Sequence, residues 1–291
     1  MRNYLIVINP HAGNKRFAKK AEQICSAIHQ KGWHYHIILS KLKGFDEHLN
    51  YHLNLLIYTD VIIVGGDGTL NKVINTVRDK LLVLSVITAG TGNDSMKTLA
   101  PGVTRFEDQV SLALSDNIKM VDAASCNGHW FVNGVGLGFD GRVVEKMEEK
   151  GNGKTKLGYL TTVLRILLGF NEKPISLTID GKRIQQPVFL LTIANGTTFG
   201  NGFKITPKAK FDDGLLDVCL IRKINPFFRL LNLSRLSSGS HIKLPFVDYI
   251  KAREIIIDEN KLMVAHMDGE LIGNPPFKIN VIPSALRMRL P

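Results

Sequence analysis

The chain has 291 residues, 44% of them hydrophobic and 22% charged, an ordinary globular composition with room for one large or two ordinary domains. Lysine and arginine (37) outnumber aspartate and glutamate (26), and the formal net charge of +11 favours anionic partners such as nucleotides, nucleic acid or acidic lipid surfaces. Cys25, Cys126 and Cys219 share no short spacing and read as reduced thiols, and no run of ~18 apolar residues is present to span a bilayer.

In chain order, Tyr4-Leu5-Ile6-Val7-Ile8 predicts a buried strand. The residues before it, Met1-Arg2-Asn3, leave too short a stretch for a signal-peptide core. Asn9-Pro10-His11-Ala12-Gly13-Asn14 follows as a loop, then a helix with Phe17, Ala21, Ile24 and Ile28 on one face. A second strand near 34–40 ends at Ser40. His34 and His36 share a strand face, and His48 and His52 stand four apart on a helix. Neither pair has the further ligand a zinc site needs, so all four read as surface histidines.

Val61-Ile62-Ile63-Val64 is a third strand, and Gly65-Gly66-Asp67-Gly68-Thr69-Leu70-Asn71 leads from it into a helix. Glycines let a backbone turn sharply and approach a ligand, and a helix N-terminus favours phosphate. Asp67 is an odd residue for a bare phosphate cradle, because it repels phosphate. It fits if a metal ion or a transferable proton sits there too. No G-K-[ST] follows, so this is not a Walker loop, and it is not G-x-G-x-x-G either. Val83 to Ile87 is a fourth strand, ending in Thr88-Ala89-Gly90-Thr91-Gly92-Asn93-Asp94. Strands alternating with helices over about the first 120 residues specify a parallel sheet, whose ligands sit at the C-terminal ends of the strands.

From about Lys119 the pattern changes. Lys119 to Cys126, Asn127-Gly128 and His129 to Asn133 read as a hairpin, and Ile175 to Ile179 leads into a second one at Asp180-Gly181. Further strands are expected at Val188–Ala194, Gly214–Arg222, Glu254–Asp258, Leu262–His266 and Phe277–Ile282, a mostly antiparallel β half. Leu157 to Phe170 carries leucines and Val163 at helical spacing. Asn225 to Phe246 mixes Phe227, Phe228, Leu230, Leu231, Leu233 and Leu236 with Arg229, Arg235 and Lys243. Core packing is the default reading of both stretches; the alternative is a greasy, basic face resting on an anionic bilayer.

Asn9-Pro10…Gly13, Gly65 to Asn71 and Gly90-Thr91-Gly92-Asn93-Asp94 resemble the three signature loops of the diacylglycerol/sphingosine kinase catalytic family, above all its soluble bacterial lipid kinases. The resemblance continues through Asn133 to Asp140, Asn195-Gly196, Phe211 to Asp217 and Asp268-Gly269-Glu270, nearly the whole chain. It implies an α/β ATP-binding domain over 1–122 and a β-sandwich lipid or substrate domain over 123–291, with the last residues returning to the first domain and the site in the cleft between them. It also implies ATP contacts by residues matching Asn9, Pro10, His11, Ala12, Gly13, Ser40, Gly65, Gly66, Asp67, Gly68, Thr69, Leu70, Asn71 and Thr91. Mg²⁺ is implied at Asp213 with main-chain oxygens of Lys210 and Leu215, Asp94 joining the metal network. Glu270 matches the acid assigned as proton acceptor in bacterial relatives, and Asp67 the acid favoured in the sphingosine kinase branch. The reading takes Glu270 as base and Asp67 as a residue of the Mg²⁺ site, with the choice between them open.

Three departures from the family pattern bear on nucleotide preference and the acid network: Lys72 after Asn71, Thr88-Ala89 before Gly90, and His11-Ala12 in the first loop. The resulting expectation is a cytoplasmic enzyme, peripheral at the inner face of the membrane, that phosphorylates the hydroxyl of diacylglycerol or a related lipid alcohol with ATP and Mg²⁺. Its partners would be the lipid and an anionic membrane surface, without nucleic acid, and a homodimer is one arrangement the sequence allows. An NAD kinase of the same superfamily and a non-catalytic basic protein binding membranes or nucleic acid are the rival readings. Asp213 and the 225–246 stretch argue against the first, and the retained acids against the second.

Overall fold

The computed structural model describes residues 2–10, 12, 17–40, 44–55, 57–90, 92–149, 156–200 and 202–291, the side chains of 17–19, 156, 157, 159 and 160 excepted. The chain forms two units, residues 1–122 with 284–291, and residues 123–283.

The first unit contains β1 (Asn3–Ile8), α1 (Phe17–Gln30), β2 (His34–Leu39), α2 (Phe45–Leu55), β3 (Asp60–Gly65), α3 (Asp67–Val77), β4 (Val83–Thr88), α4 (Asp94–Leu99) and α5 (Phe106–Ala113). The four strands are parallel in the order β4-β3-β1-β2. β1 and β3 are apolar along their length because a central parallel strand is covered on both faces. Tyr4, Ile6 and Ile8 pack with Ile24 and Ile28 of α1, so the 3.6-residue spacing of the helix meets the two-residue spacing of the strand. β2, at the edge of this sheet, leaves Tyr35, Ile37 and Leu39 exposed.

The second unit follows with β5 (Ile118–Cys126), β6 (His129–Phe131), β7 (Gly134–Gly138), α6 (Phe139–Glu149), α7 (Lys156–Gly169), β8 (Lys173–Ile179), β9 (Lys182–Ala194), β10 (Leu216–Arg222), α8 (Pro226–Leu231), α9 (Leu233–Ser238), β11 (Val247–Ala252), β12 (Glu254–Ile257), β13 (Ala265–Met267), β14 (Glu270–Gly273) and β15 (Phe277–Arg289). β5 begins in the first unit, and the end of β15 lies there. The strands of this unit pair antiparallel, and β9 organises them. Its first half pairs with β8, and its second half lies between β7 and β10. One core lies among the strands, around Leu177, Leu191, Val218 and Ile255, and a second under the helices, around Phe139, Leu167 and Phe189. The fold class read from the sequence, parallel α/β followed by antiparallel β, is the one observed. Both hairpins form where expected, on Asn127 (φ 49°) and Asp180 (φ 44°). Leu262 to Val264 is not strand, and β13 starts at Ala265. Asn225–Phe246 is broken into α8, α9 and a short 3₁₀ turn at Ser240–Lys243.

The end of β15 pairs in parallel with β4 through Arg287 and Met288. There the Arg289 guanidinium is buried against Asp60, which also accepts from the Thr59 hydroxyl at 2.6 Å. Removing one member of a buried pair strands the other charge, which typically costs roughly 3–5 kcal/mol. Arg289→Met should therefore lower the urea midpoint of the first unit, read by Trp33, the tryptophan of that unit, and Asp60→Asn added to it should restore part of the loss. A midpoint unchanged in Arg289→Met contradicts this role.

Candidate functional site

In the first unit, β4, β3 and β1 are neighbours, so the loops that leave their C-terminal ends are neighbours too. Direct contacts tie them together. Asn9 Nδ2 donates to Thr69 Oγ1 at 3.2 Å, joining the first loop to the second. The Thr69 hydroxyl in turn lies on Gly65, where a Cβ would stand 2.5 Å from it. The loops of β3 and β4 meet backbone to backbone: a Cβ on Gly90 would lie 2.7 Å from the Gly66 Cα. Asn93, left-handed at φ 49°, closes the β4 loop on itself, accepting from Gly90 N (3.1 Å) and donating to Gly90 O (2.8 Å).

Asp67 opens α3, and its carboxylate is committed across the loop. It accepts from the main-chain N–H of Asp94 (3.0 Å) and of Ser95 (3.1 Å), the first residues of α4. The acid in this glycine loop thus has main-chain partners of its own. The negative charge is turned onto a second helix start, while the N-terminus of α3, preceded by Gly66 with no side-chain cap, stays open to an anion. The Asp94 side chain is buried and paired with Lys97 at 2.7 Å. A Cβ on Gly92 would stand 3.7 Å from a carboxylate oxygen of both Asp67 and Asp94, so two hard-oxygen donors flank one glycine. That donor set suits Mg²⁺.

Ser40 N bonds Ile8 O at 2.8 Å, which puts Ser40 beside the end of β1. Ala12 N closes a turn on Asn9 O at 3.1 Å, and Pro10 is exposed. Asn71 is buried, its carbonyl and side-chain oxygens accepting from Asn75 Nδ2 at 2.9 and 3.3 Å. Leu70 is buried too and belongs to the core, and its main-chain N–H bonds Gly66 O at 3.1 Å. Gly68 sits in the first turn of α3. His11, Gly13 and Thr91 lie outside the described residues.

In the second unit, Glu270 is the exposed first residue of β14, opposite Met267 across an Asp268-Gly269 turn with φ of 49° and 89°. Asp268, which the sequence reading passed over, holds this region. Its carboxylate accepts from the N–H groups of Val132 (3.4 Å), Asn133 (3.2 Å) and Gly134 (2.8 Å). Asn133 O then accepts from Asn195 N and Gly196 N at 2.8 and 3.0 Å, and Thr206 Oγ1 donates to Gly196 O at 2.6 Å. Three motifs far apart in sequence thus converge. His266, buried, lies with Nε2 3.0 Å from Asp140 Oδ2, and Gly136 leaves room for the pair. Burial works to lower the pKa of His266, but the charge of Asp140 and its hydrogen bond raise it overall.

Asp213 sits elsewhere in the same unit. Its Oδ1 accepts from Leu215 N at 3.2 Å and its Oδ2 pairs with Lys251 Nζ at 2.6 Å. Lys251 is the cross-strand partner of buried Asp217, whose carboxyl is pushed up by burial against the pull of Tyr249 and Lys251. Lys210 is exposed and Leu215 half-buried beside this turn. An ammonium therefore already neutralises the carboxylate there. Among the described residues no group of three or more His, Cys, Asp or Glu side chains could hold a metal ion. The histidines are not independent surface groups: the rings of His36 and His48 lie 4.5 and 4.6 Å from that of half-buried His52. The sequence reading had paired His36 with His34 instead.

The "Diacylglycerol kinase catalytic domain" family matches residues 3–126, and the "YegS C-terminal NAD kinase beta sandwich-like domain" family matches residues 133–290. The chain belongs to the diacylglycerol kinase catalytic family with a YegS-type C-terminal domain. It is 28% identical over 287 residues to a diacylglycerol kinase of Bacillus subtilis (strain 168), covering 95% of this chain and 92% of the relative. It is 27% identical over 278 residues to a diacylglycerol kinase of Staphylococcus carnosus (strain TM300), covering 93% and 89%. A crystal structure of a diacylglycerol kinase from Bacillus anthracis str. Sterne superposes with a TM-score of 0.73 at 22% identity over 99% of this chain and 96% of that one, which shows a shared fold. The protein is thus homologous to diacylglycerol kinases.

The Gly66–Gly90 contact yields a discriminating pair of substitutions. Gly90→Ala drives a Cβ into backbone at 2.7 Å, whereas Gly92→Ala meets only ordinary contacts at 3.7 Å. Gly90→Ala should weaken binding of an ATP analogue at least tenfold and Gly92→Ala should leave it within a few-fold, measured by calorimetry. Equal affinities for the two variants contradict the packing argument.

Proposed function

We propose that the protein transfers the γ-phosphoryl group of ATP to the hydroxyl of diacylglycerol or a related lipid alcohol. The observation that carries this is the linked set of glycine loops with the open N-terminus of α3, in a chain of the diacylglycerol kinase catalytic family. Phosphoryl transfer asks a protein for position and charge more than for covalent chemistry. The loops at Asn9–Gly13, Gly65–Asn71 and Thr91, with Ser40, hold the phosphates and the nucleotide. Asp67 and Asp94 would hold Mg²⁺, which would supply charge neutralisation for the phosphates. The acceptor oxygen forms a bond to the γ-phosphorus as the bond to the ADP oxygen breaks, and Glu270 takes the hydroxyl proton. Asp268, through its three main-chain bonds, keeps the turn that carries Glu270 in place. The resemblance implies a second metal position at Asp213, Lys210 and Leu215. No step of the transfer passes through it.

A lipid acceptor resides in a bilayer, and the net charge of +11 suits an anionic one. Among the described residues no helix is long and apolar enough to cross a membrane. The lipid acceptor, the net positive charge and the family resemblance support a peripheral enzyme at the cytoplasmic face of the membrane.

Radiolabelled ATP with a panel of lipid alcohols in mixed micelles, and NAD as control acceptor, tests the assignment. Label in a lipid phosphate supports it, and label in NAD alone overturns it in favour of an NAD kinase. Asp67→Asn should lower transfer by roughly a hundredfold or more and disturb the Mg²⁺ dependence. A folded variant with near-normal turnover sinks the role of Asp67. Glu270→Gln should bind ATP normally, lose transfer, and lose the acid limb of the pH–rate profile. A limb that survives in Glu270→Gln and disappears in Asp67→Asn reverses the two assignments.

A further inference from the structure

α8 has the sequence Pro226-Phe227-Phe228-Arg229-Leu230-Leu231, started by Asn225, whose side chain accepts from Phe227 N at 2.9 Å. In water such a helix should bury its phenylalanines and leucines and expose its arginine. The structure does the reverse. Arg229 is 4% exposed, while Phe227, Phe228, Leu230 and Leu231 are 62, 54, 43 and 56% exposed.

The inversion is held by a built site. Arg229 Nη1 donates to the carbonyls of Leu167 (2.8 Å) and Phe170 (2.9 Å) at the end of α7, and Nε donates to Ile224 O at 3.2 Å. Nη2 pairs with the buried carboxylate of Glu172 at 2.6 Å, and the guanidinium stacks over the Phe189 ring at 4.7 Å. The arginine thus pins the inner side of α8, and the four apolar side chains have nowhere to go but outward. Leu168 of α7 is exposed as well.

The surroundings are cationic. From Arg222 to Phe246 the chain has no aspartate or glutamate, and besides Arg222, paired with Asp248, and buried Arg229, it carries the exposed Lys223, Arg235 and Lys243. Arg165 of α7 is exposed and, with Arg142, Lys146 and Lys173, lines a pocket of about 510 Å³ that shares Phe170 with the α8 attachment. A second copy of this chain would bring a like-charged face against this one. An anionic bilayer offers opposite charge and an apolar interior together. A six-residue helix is about 9 Å long, which suits insertion to the depth of the headgroup–acyl boundary and no further.

We propose that α8 is a membrane anchor, inserting Phe227, Phe228, Leu230 and Leu231 into an anionic bilayer while Arg229 and Glu172 hold it to the second unit. The choice of a lipid occupant rests on the lipid kinase reading above; the exposed face itself does not.

The test measures docking and catalysis separately on the full chain. Co-sedimentation with phosphatidylcholine vesicles, and with vesicles containing about a third phosphatidylglycerol, should show at least tenfold stronger binding to the second, weakened by salt because screening acts over about 10 Å at 0.1 M. Phe227→Ser combined with Phe228→Ser and Leu231→Ser should lose at least tenfold of that binding. The same variant should keep its transfer to a short-chain, water-soluble lipid alcohol. Phe228→Trp adds a direct reading: its emission should shift to the blue, and brominated lipid should quench it, when acidic vesicles are added. Vesicle binding unchanged by the triple substitution, or emission unaffected by acidic vesicles, overturns the anchor. A blue shift that grows with protein concentration without vesicles also overturns it, in favour of a second copy. Vesicle insertion that persists in a protein transferring phosphate to no lipid leaves the anchor standing and removes the kinase reading.

Discussion

The backbone at Gly66 rests against the backbone at Gly90, and the candidate nucleotide site depends on that contact. It sets how near the loops of β3 and β4 can come. Only at that distance can the Asp67 carboxylate reach the N–H groups that begin α4. A methyl group at Gly90 would push the two loops apart and draw the Asp67 carboxylate away from those N–H groups. The constraint therefore turns an unfavourable residue into a clamp and leaves the positive end of α3 available.

The same device recurs through the chain. Asp268 clamps the N–H groups of Val132, Asn133 and Gly134. Asp180 accepts from Arg253 N and Glu254 N at 3.0 and 2.9 Å, and Asp122 from Ser284 N at 2.7 Å. In each case a short acid, at a turn for Asp268 and Asp180 and within β5 for Asp122, satisfies main-chain donors of a distant segment. Turns are in this way tied to the sheets that position them, and Glu270 stands two residues from one such clamp.

The parallel strands were legible because each is a short apolar run broken by glycine or asparagine, and the Asn127-Gly128 and Asp180-Gly181 hairpins because their turn chemistry is local. The glycine loops were legible as loops at the strand ends for the same reason. What the sequence hid was the company each acid keeps. Asp67 and Asp94 are 27 residues apart, and Asp268 and Asn133 are 135 apart, so no spacing rule joins them. Asp213 reads by resemblance as a Mg²⁺ ligand, and only the register of β10 against β11 brings Lys251 to it. The stretch from Asn225 to Phe246 read by default as core. Hydrophobic content cannot reveal that one buried arginine turns a helix inside out, since three of the four groups that hold Arg229 come from residues 167–172, about sixty positions away.

The central claim is that nucleotide phosphates lie on the linked loops of the first unit. Hydrogen–deuterium exchange, with and without a non-hydrolysable ATP analogue and Mg²⁺, reads those main-chain N–H groups one segment at a time. The account predicts slowed exchange in peptides covering residues 64–71 and 89–97. Exchange unchanged in both segments at a saturating concentration of the analogue would contradict it.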